Sequence, residues 1–118
     1  MNRRKSALKV INLEQEMPTV PLALSRLNDA LRTARAERFA AVKIIHGYGS
    51  SGKGGAIRVA VQADLTQRAR AGELRAFIAG EEWRISDERS WALLQRCPEL
   101  KPDTDLGRGN KGISIVVL

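Results

Sequence analysis

The sequence contains a single cysteine and a single histidine, and aromatic residues make up only 4% of its 118 positions. One thiol cannot form an internal disulfide, so Cys97 is typical of a protein from a reducing compartment. One histidine and one cysteine also exclude a closed zinc site built from soft ligands. The chain lacks both the apolar core of a signal peptide and the roughly 18 apolar residues that a membrane span needs. We therefore expect a soluble cytoplasmic protein that does not bind a membrane.

The length and the 43% of hydrophobic residues are those of one domain with a real core. The basic residues 1–6 predict a disordered tail, and residues 7–118 predict a single domain. The sequence leaves the oligomeric state open, and a monomer is compatible with it.

The net charge of +7 is unevenly distributed along the chain. Residues 1–59 contain 11 Lys and Arg against four Asp and Glu, whereas residues 60–118 contain nine of each. A basic excess on one side favours a polyanionic partner, because each phosphate that is neutralised releases counterions. This distribution indicates a nucleic acid.

Apolar periodicity predicts four strands and two main helices in the order β-α-β-α-β-β. The strands are expected near residues 8–13, 41–46, 74–79 and 113–118, the main helices near 20–37 and 57–71, and a short extra helix near 86–96. This alternation predicts an α/β two-layer sandwich, in which the two main helices pack on a four-stranded mixed sheet.

A glycine-rich loop follows the second predicted strand, with five glycines among residues 47–55. Glycines allow positive φ angles and let backbone N–H groups approach a ligand closely. The helix that follows begins with unpaired N–H groups and the positive end of its dipole, which favours an anion. Lys53 and Arg58 add positive charge there, so the pattern predicts a phosphate-binding loop. The alternative is a flexible connection without a ligand.

The segment from Gly47 to Lys53 also fits the G-x-x-x-x-G-K pattern of a nucleotide-binding P-loop. Gly54 then stands where that motif needs a Ser or Thr hydroxyl to hold Mg²⁺. A nucleotide-binding protein is therefore the weaker interpretation.

The loop also carries a family resemblance. His46-Gly47-Tyr48-Gly49, a short spacer and Ile57-Arg58 at the start of a helix resemble the H-G-x-G region of the Smr (small MutS-related) domain family. The glycine-led last strand, residues 109–118, is similar to the end of that domain. The resemblance implies a fold similar to the C-terminal domain of translation initiation factor three. It also implies DNA or RNA as partner and, as in several members, DNA-nicking or RNA-cleaving endonuclease activity.

The sequence departs from the family in two places. Many Smr domains have Leu-Asp-x-His or Leu-Asp-x-Arg after the first strand, where this chain has Ile11-Asn12-Leu13-Glu14. The region 81–106 is longer than the usual connection between the last two strands and is expected to be an insertion. The first departure favours binding without cleavage.

Two residues are candidates for chemistry. His46 can serve as an acid, base or phosphate ligand, or as a structural residue that hydrogen-bonds the loop. If the first two strands are parallel neighbours, Glu14 lies near His46, where it could hold Mg²⁺ or Mn²⁺ or orient the imidazole. A solvated loop carboxylate is the plainer interpretation.

The phosphate-binding set is expected to surround this pair. Tyr48 can stack on a base or simply cover the sheet edge, and Arg108 and Lys111 can extend the basic surface. The full predicted set is Gly47, Tyr48, Gly49, Gly52, Lys53, Gly54, Gly55, Arg58, Arg108 and Lys111. We therefore expect a nucleic-acid-binding Smr domain with possible metal-assisted cleavage; the alternative is a non-catalytic binding or adaptor module.

Overall fold

Four strands form a single mixed sheet in the computed structural model, which describes residues 7–16, 18–48 and 53–118. The strands are β1 (Leu8–Asn12), β2 (Ala41–Ile45), β3 (Ala76–Ala79) and β4 (Ile113–Val117). Their order in the sheet is β1-β2-β4-β3, with β1 parallel to β2 and β4 antiparallel to both neighbours. The predicted four-stranded mixed sheet is confirmed. The predicted tail, residues 1–6, lies outside the described residues.

Three helices accompany the sheet: α1 (Val20–Ala36), α2 (Lys53–Arg70) and α3 (Glu88–Arg96). The Thr19 side chain caps α1 by accepting a hydrogen bond from the Leu22 N–H at 3.3 Å. Asp87 caps α3 in the same way, accepting from the Ser90 N–H at 3.0 Å. Both caps satisfy N–H groups that have no partner inside the helix.

Helix α2 begins at Lys53, four residues before the start that apolar spacing predicts. Gly54 and Gly55 therefore belong to its first turn rather than to the loop. Apolar spacing misses this turn because glycines contribute no side chain to the pattern. The helix ends as expected, since Gly72 follows it with a φ of +78°.

The two faces of the sheet are covered by different parts of the chain. Helices α1 and α2 bury one face through Leu27, Leu31, Val61 and Leu65. The other face is covered by the segment between β3 and β4, whose Trp83, Leu93, Leu94 and Leu100 are buried against the sheet. Successive strand residues point to opposite faces, so Val42 belongs to the first core and Ala41 to the second. The extra helix predicted near 86–96 is thus part of the cover of the second face.

Lys43 joins this covering segment to the centre of the sheet. It lies on β2 with only 5% of its surface exposed, and its Nζ donates to Asp103 at 2.7 Å and to Asp105 at 2.6 Å. Trp83 Nε1 donates to the other oxygen of Asp103 at 3.0 Å. Burial opposes the charge on Lys43, but the two carboxylates outweigh it and raise the pKa of the ammonium group. Lys43 in turn neutralises the negative charges of Asp103 and Asp105.

Among the described parts of the chain, no helix has both the length and the apolar character that crossing a membrane requires.

Replacing Lys43 with Met should lower the free energy of unfolding by about 3 kcal/mol, because it leaves two half-buried carboxylates without a counter-charge. Urea denaturation at neutral pH measures the loss. Lys101→Met is the matched control, since Lys101 is exposed on the same segment and should change the stability by less than about 0.5 kcal/mol. Equal losses in the two variants would show that the Lys43 ion pairs do not hold the segment.

Candidate nucleic-acid interface

The predicted site residues meet at the edge of the sheet where β1 and β2 end. Glu14 follows β1, His46 to Tyr48 follow β2, and Lys111 and Gly112 precede the antiparallel β4. Ligands of open α/β sheets bind in the crevice outside the carboxyl ends of parallel strands. The topology therefore brings the sequence candidates to the position where such folds place ligands.

The carbonyl of Gly112 holds the start of the glycine loop. It accepts hydrogen bonds from the backbone N–H groups of His46 at 2.9 Å and Gly47 at 3.0 Å. The Gly112 N–H donates to the Asn110 side chain at 2.8 Å. A Cβ at position 112 would lie 3.1 Å from that side-chain oxygen and 3.4 Å from the Tyr48 ring. Sequence reasoning missed Asn110, although the Asn-x-Gly pattern before the last strand is a turn signal.

Gly47 makes a second close contact. Its φ of +75° is a left-handed conformation that favours glycine, and the Glu14 carboxylate occupies the space that a Cβ at this position would take. The parallel pairing of β1 and β2 thus brings Glu14 to the glycine loop, as the sequence predicts. The Glu14 N–H donates to the Asn12 side chain at 2.8 Å. Asn12, one of the departures from the family pattern, therefore stabilises the turn that positions Glu14.

His46 is completely buried, with 0% of its surface exposed. Its Nδ1 lies 2.6 Å from the Gly47 carbonyl, to which it donates, and its Nε2 lies 2.8 Å from the Ser114 hydroxyl, from which it accepts. In this tautomer the imidazole donates with one nitrogen and accepts with the other. Burial lowers the pKa of His46 and the nearby Arg58 charge lowers it further, although the Gly47 carbonyl acts in the opposite direction.

These contacts favour the structural interpretation of His46 over the catalytic one. Both ring nitrogens have partners, and the buried ring exposes no atom to a substrate. The catalytic role remains a prediction. Ser114, which the sequence analysis missed, is the one polar residue in the apolar run of β4, and that exception was the available signal.

Arg58 lies in the second turn of α2 and is held by two groups from the segment between β3 and β4. Its Nη2 donates to Glu81 at 3.0 Å and its Nε donates to the Lys111 carbonyl at 3.2 Å. The guanidinium is oriented toward the site, but one carboxylate already balances its charge. Glu81 is a further residue that sequence reasoning did not assign to the site.

Three predicted residues are exposed: Tyr48 and Lys111 at this edge, and Arg108 in the segment that leads to β4. Tyr48 exposes 58% of its surface, and Arg108 and Lys111 are exposed as well. Neither cation forms an ion pair within the described residues. Arg108 lies close enough to Asp105 to help lower the pKa of that carboxyl, and both exposed cations are accessible to a polyanion.

The remaining residues of the predicted phosphate-binding set belong to the rest of the glycine loop and to the start of α2. Gly49 and Gly52 lie outside the described residues, and of Lys53 and Gly54 only the backbone at the start of α2 is described. Gly55 is in the first turn of that helix and is partly exposed.

The described donors do not by themselves form a metal site. No group of three or more His, Cys, Asp and Glu side chains comes together among the residues that are described. Glu14 is a single carboxylate, and the Glu81 carboxylate is paired with Arg58. The predicted Mg²⁺ or Mn²⁺ therefore enters no chemical step here.

A family model, the Smr domain, matches residues 13–82, and the chain therefore belongs to the Smr domain family. The resemblance predicted from the His46-Gly47-Tyr48-Gly49 motif is thus confirmed. The crystal structure of the Smr domain of Thermus thermophilus MutS2 is similar over 93% of this chain and 96% of that one, with a TM-score of 0.57 and 24% identity. At this identity the likeness establishes the fold. No curated protein matches the chain.

The lowered pKa of His46 makes a testable contribution to stability. The unfolded chain, with a histidine pKa near 6.5, binds a proton more readily than the folded protein. The free energy of unfolding should therefore fall as the pH drops from 7.5 through 6.5 toward the lower folded pKa. The slope can reach at most about 1.4 kcal/mol per pH unit, the limit for one proton.

His46→Asn should flatten this slope, which denaturant titrations between pH 5 and 7.5 measure. His46 is the only histidine, and the lowered pKa values of Asp87 and Asp105 place their titrations below this window. An NMR titration of the wild-type imidazole at or above its ordinary pKa would contradict the assignment.

Proposed function

We propose that the protein binds nucleic acid by its phosphate backbone at the edge formed by the glycine loop and the turn before β4. The observation that carries this proposal is the placement of exposed Tyr48 and Lys111 next to Gly112, where β2 ends and β4 begins. Arg108 is exposed four residues earlier in the segment that leads to β4. Exposed cations bind phosphates by releasing counterions. The exposed ring of Tyr48 offers a stacking surface for a base or sugar.

Membership of the Smr domain family supports a polynucleotide rather than a free nucleotide. The P-loop alternative needs a hydroxyl where Gly54 stands, and that position lies in the first turn of α2. The rigid entry to the loop, held by Gly112, suits the orientation of a backbone phosphate. We therefore assign the site to binding, with His46 as a positioning residue for the loop.

Salt dependence tests this assignment. The wild-type protein should bind labelled DNA or RNA with an affinity that falls steeply as salt rises, and a flat response would refute a phosphate-led interface. Arg108→Ala and Lys111→Ala should each weaken binding to all sequences and reduce the slope of log affinity against log salt by about 0.7–0.9. Fluorescence anisotropy at several salt concentrations gives both quantities. Arg96→Ala, an exposed arginine at the end of α3, is the control and should leave the slope unchanged.

Endonuclease activity is the second candidate, and the contact of Glu14 with Gly47 is the observation that favours it. It places one carboxylate beside the proposed phosphate position. If the protein cleaves, Glu14→Gln should abolish cleavage of supercoiled plasmid or structured RNA in Mg²⁺ or Mn²⁺ while binding persists. Cleavage that is equal in wild type, Glu14→Gln and His46→Ala would come from a contaminant. Binding by all three proteins without cleavage would establish the non-catalytic module.

A further inference from the structure

A groove of about 460 Å³ runs between helix α2 and the edge strand β3, next to the proposed phosphate site. Its α2 wall includes Arg58, Gln62, Thr66 and Arg70, and its β3 side includes Phe77 and Glu81. Arg58 belongs both to this groove and to the site at the end of β2. The groove is therefore a continuation of that site along the surface.

One ridge of α2 supplies the four α2 residues named above, and Ala63 and Gln67 lie beside it. Its four residues are spaced at i, i+4, i+8 and i+12, which places them one above another on neighbouring turns. The ridge has an arginine at each end and uncharged polar side chains between them, and the one carboxylate of the groove lining, Glu81, is paired with Arg58. Arg70 is exposed and forms no ion pair within the described residues. Twelve residues of helix separate the two arginines, about 18 Å along the axis.

Such a ridge matches the charge pattern of a polynucleotide strand. At 3.4 Å per nucleotide, 18 Å corresponds to roughly five stacked nucleotides, and to fewer in an extended strand. A phosphate near one end would meet Arg70, which forms no ion pair within the described residues, and one near the other end would share Arg58 with Glu81. The amide and hydroxyl groups between them are compatible with sugars and bases. This charge complementarity favours a nucleic acid over an uncharged, apolar ligand.

Phe77 decides between a single strand and a duplex. Its ring packs partly into the helix-side core and is half-buried in the floor of the groove. A base can stack on an aromatic ring there only if it is unpaired and turned out of its own stack. A duplex keeps its bases inside and would leave the ring without a partner.

A peptide strand is a poorer occupant, although β3 is an edge strand. The Phe77 carbonyl already accepts a hydrogen bond from Arg89 Nη1 at 2.9 Å. Arg89 is held in place by Glu82 at 2.8 Å and Asp87 at 2.9 Å. An incoming strand would have to displace this guanidinium before it could pair with the edge.

Two polar atoms of the groove side chains have no hydrogen-bond partner within the described residues: Gln62 Nε2 and Glu81 Oε1. One is a donor and the other an acceptor, which is the pattern that the edge of an unpaired base can satisfy. Both are covered from solvent in this structure, so a base reaches them after rotation of the side chains.

We infer that the groove between α2 and β3 binds a single strand of roughly three to five nucleotides, with a base on Phe77 and phosphates at Arg58 and Arg70. This inference rests on the proposed function and names its substrate class as single-stranded. It adds Arg70, Phe77 and Gln62 to the interface.

The test compares an eight-nucleotide single strand with a duplex of the same length by fluorescence anisotropy. The single strand should bind more tightly. Arg70→Ala should lower the salt slope for the single strand by about 0.7, and Phe77→Leu should weaken its binding at least fivefold. Arg96→Ala is the matched control, because Arg96 is also the exposed last residue of a helix.

A crosslinking arm keeps the inference testable if Phe77→Leu fails to fold. Single-stranded RNA containing 4-thiouridine should crosslink to the tryptic peptide 76–84 of the wild-type protein, and mass spectrometry identifies the site. Binding that depends on Lys111 but not on Arg70 or Phe77, without this crosslink, would overturn the groove while the proposed function stands. Preference for the duplex would also overturn it, and the absence of any nucleic-acid binding would refute both.

Discussion

The rest of the site depends on the pair of hydrogen bonds that the Gly112 carbonyl accepts from His46 and Gly47. They extend the antiparallel pairing of β2 and β4 by one step beyond the strands and so determine where the glycine loop leaves the sheet. The His46 ring is thereby brought to the Ser114 hydroxyl, and the Gly47 backbone turns into its positive φ. Glu14 then packs where a side chain at Gly47 would be. The buried imidazole thus joins the start of the loop to β4 through the Gly47 carbonyl and the Ser114 hydroxyl.

The charge of the folded surface differs from the charge of the sequence. The N-terminal half carries the entire formal excess, but several of its cations are paired: Lys9 with Glu37, Arg26 with Glu16, Lys43 with Asp103 and Asp105, and Arg58 with Glu81. The half that is formally neutral supplies Arg70, Arg108 and Lys111, which form no ion pair within the described residues. The sequence argument for a polyanionic partner rested on the number of cations in the N-terminal half. In the folded protein the cations that form no ion pair are the ones most accessible to a phosphate, and several of these lie in the other half.

Local patterns were sufficient for most of the fold. Runs of β-branched residues predicted the strands, and apolar spacing together with the Thr19 cap predicted α1. The expected parallel pairing of the first two strands predicted that Glu14 lies beside the loop. The remaining features depend on contacts between distant residues: Lys43 meets Asp103 across 60 positions and His46 meets Ser114 across 68. The neighbourhood of Asp103 does not distinguish it. Ser114 stands out as the one polar residue of β4, but periodicity and spacing do not identify its partner. The start of α2 was misplaced for a different reason, since glycines at a helix start leave no apolar signal.

The segment between β3 and β4 serves the site as well as the second core. It can approach the sheet closely at Gly80, where any Cβ would collide with the carbonyls of Asn110 and Ile113. Both partners that orient Arg58, the Glu81 carboxylate and the Lys111 carbonyl, belong to this segment. Arg58 is consequently oriented only while the segment is docked, and docking in turn relies on the buried contact of Lys43 with Asp103. The packing of one sheet face and the orientation of Arg58 are therefore linked, because whatever loosens the segment also releases the guanidinium. If the proposed ligand engages the oriented guanidinium, its binding also stabilises the segment.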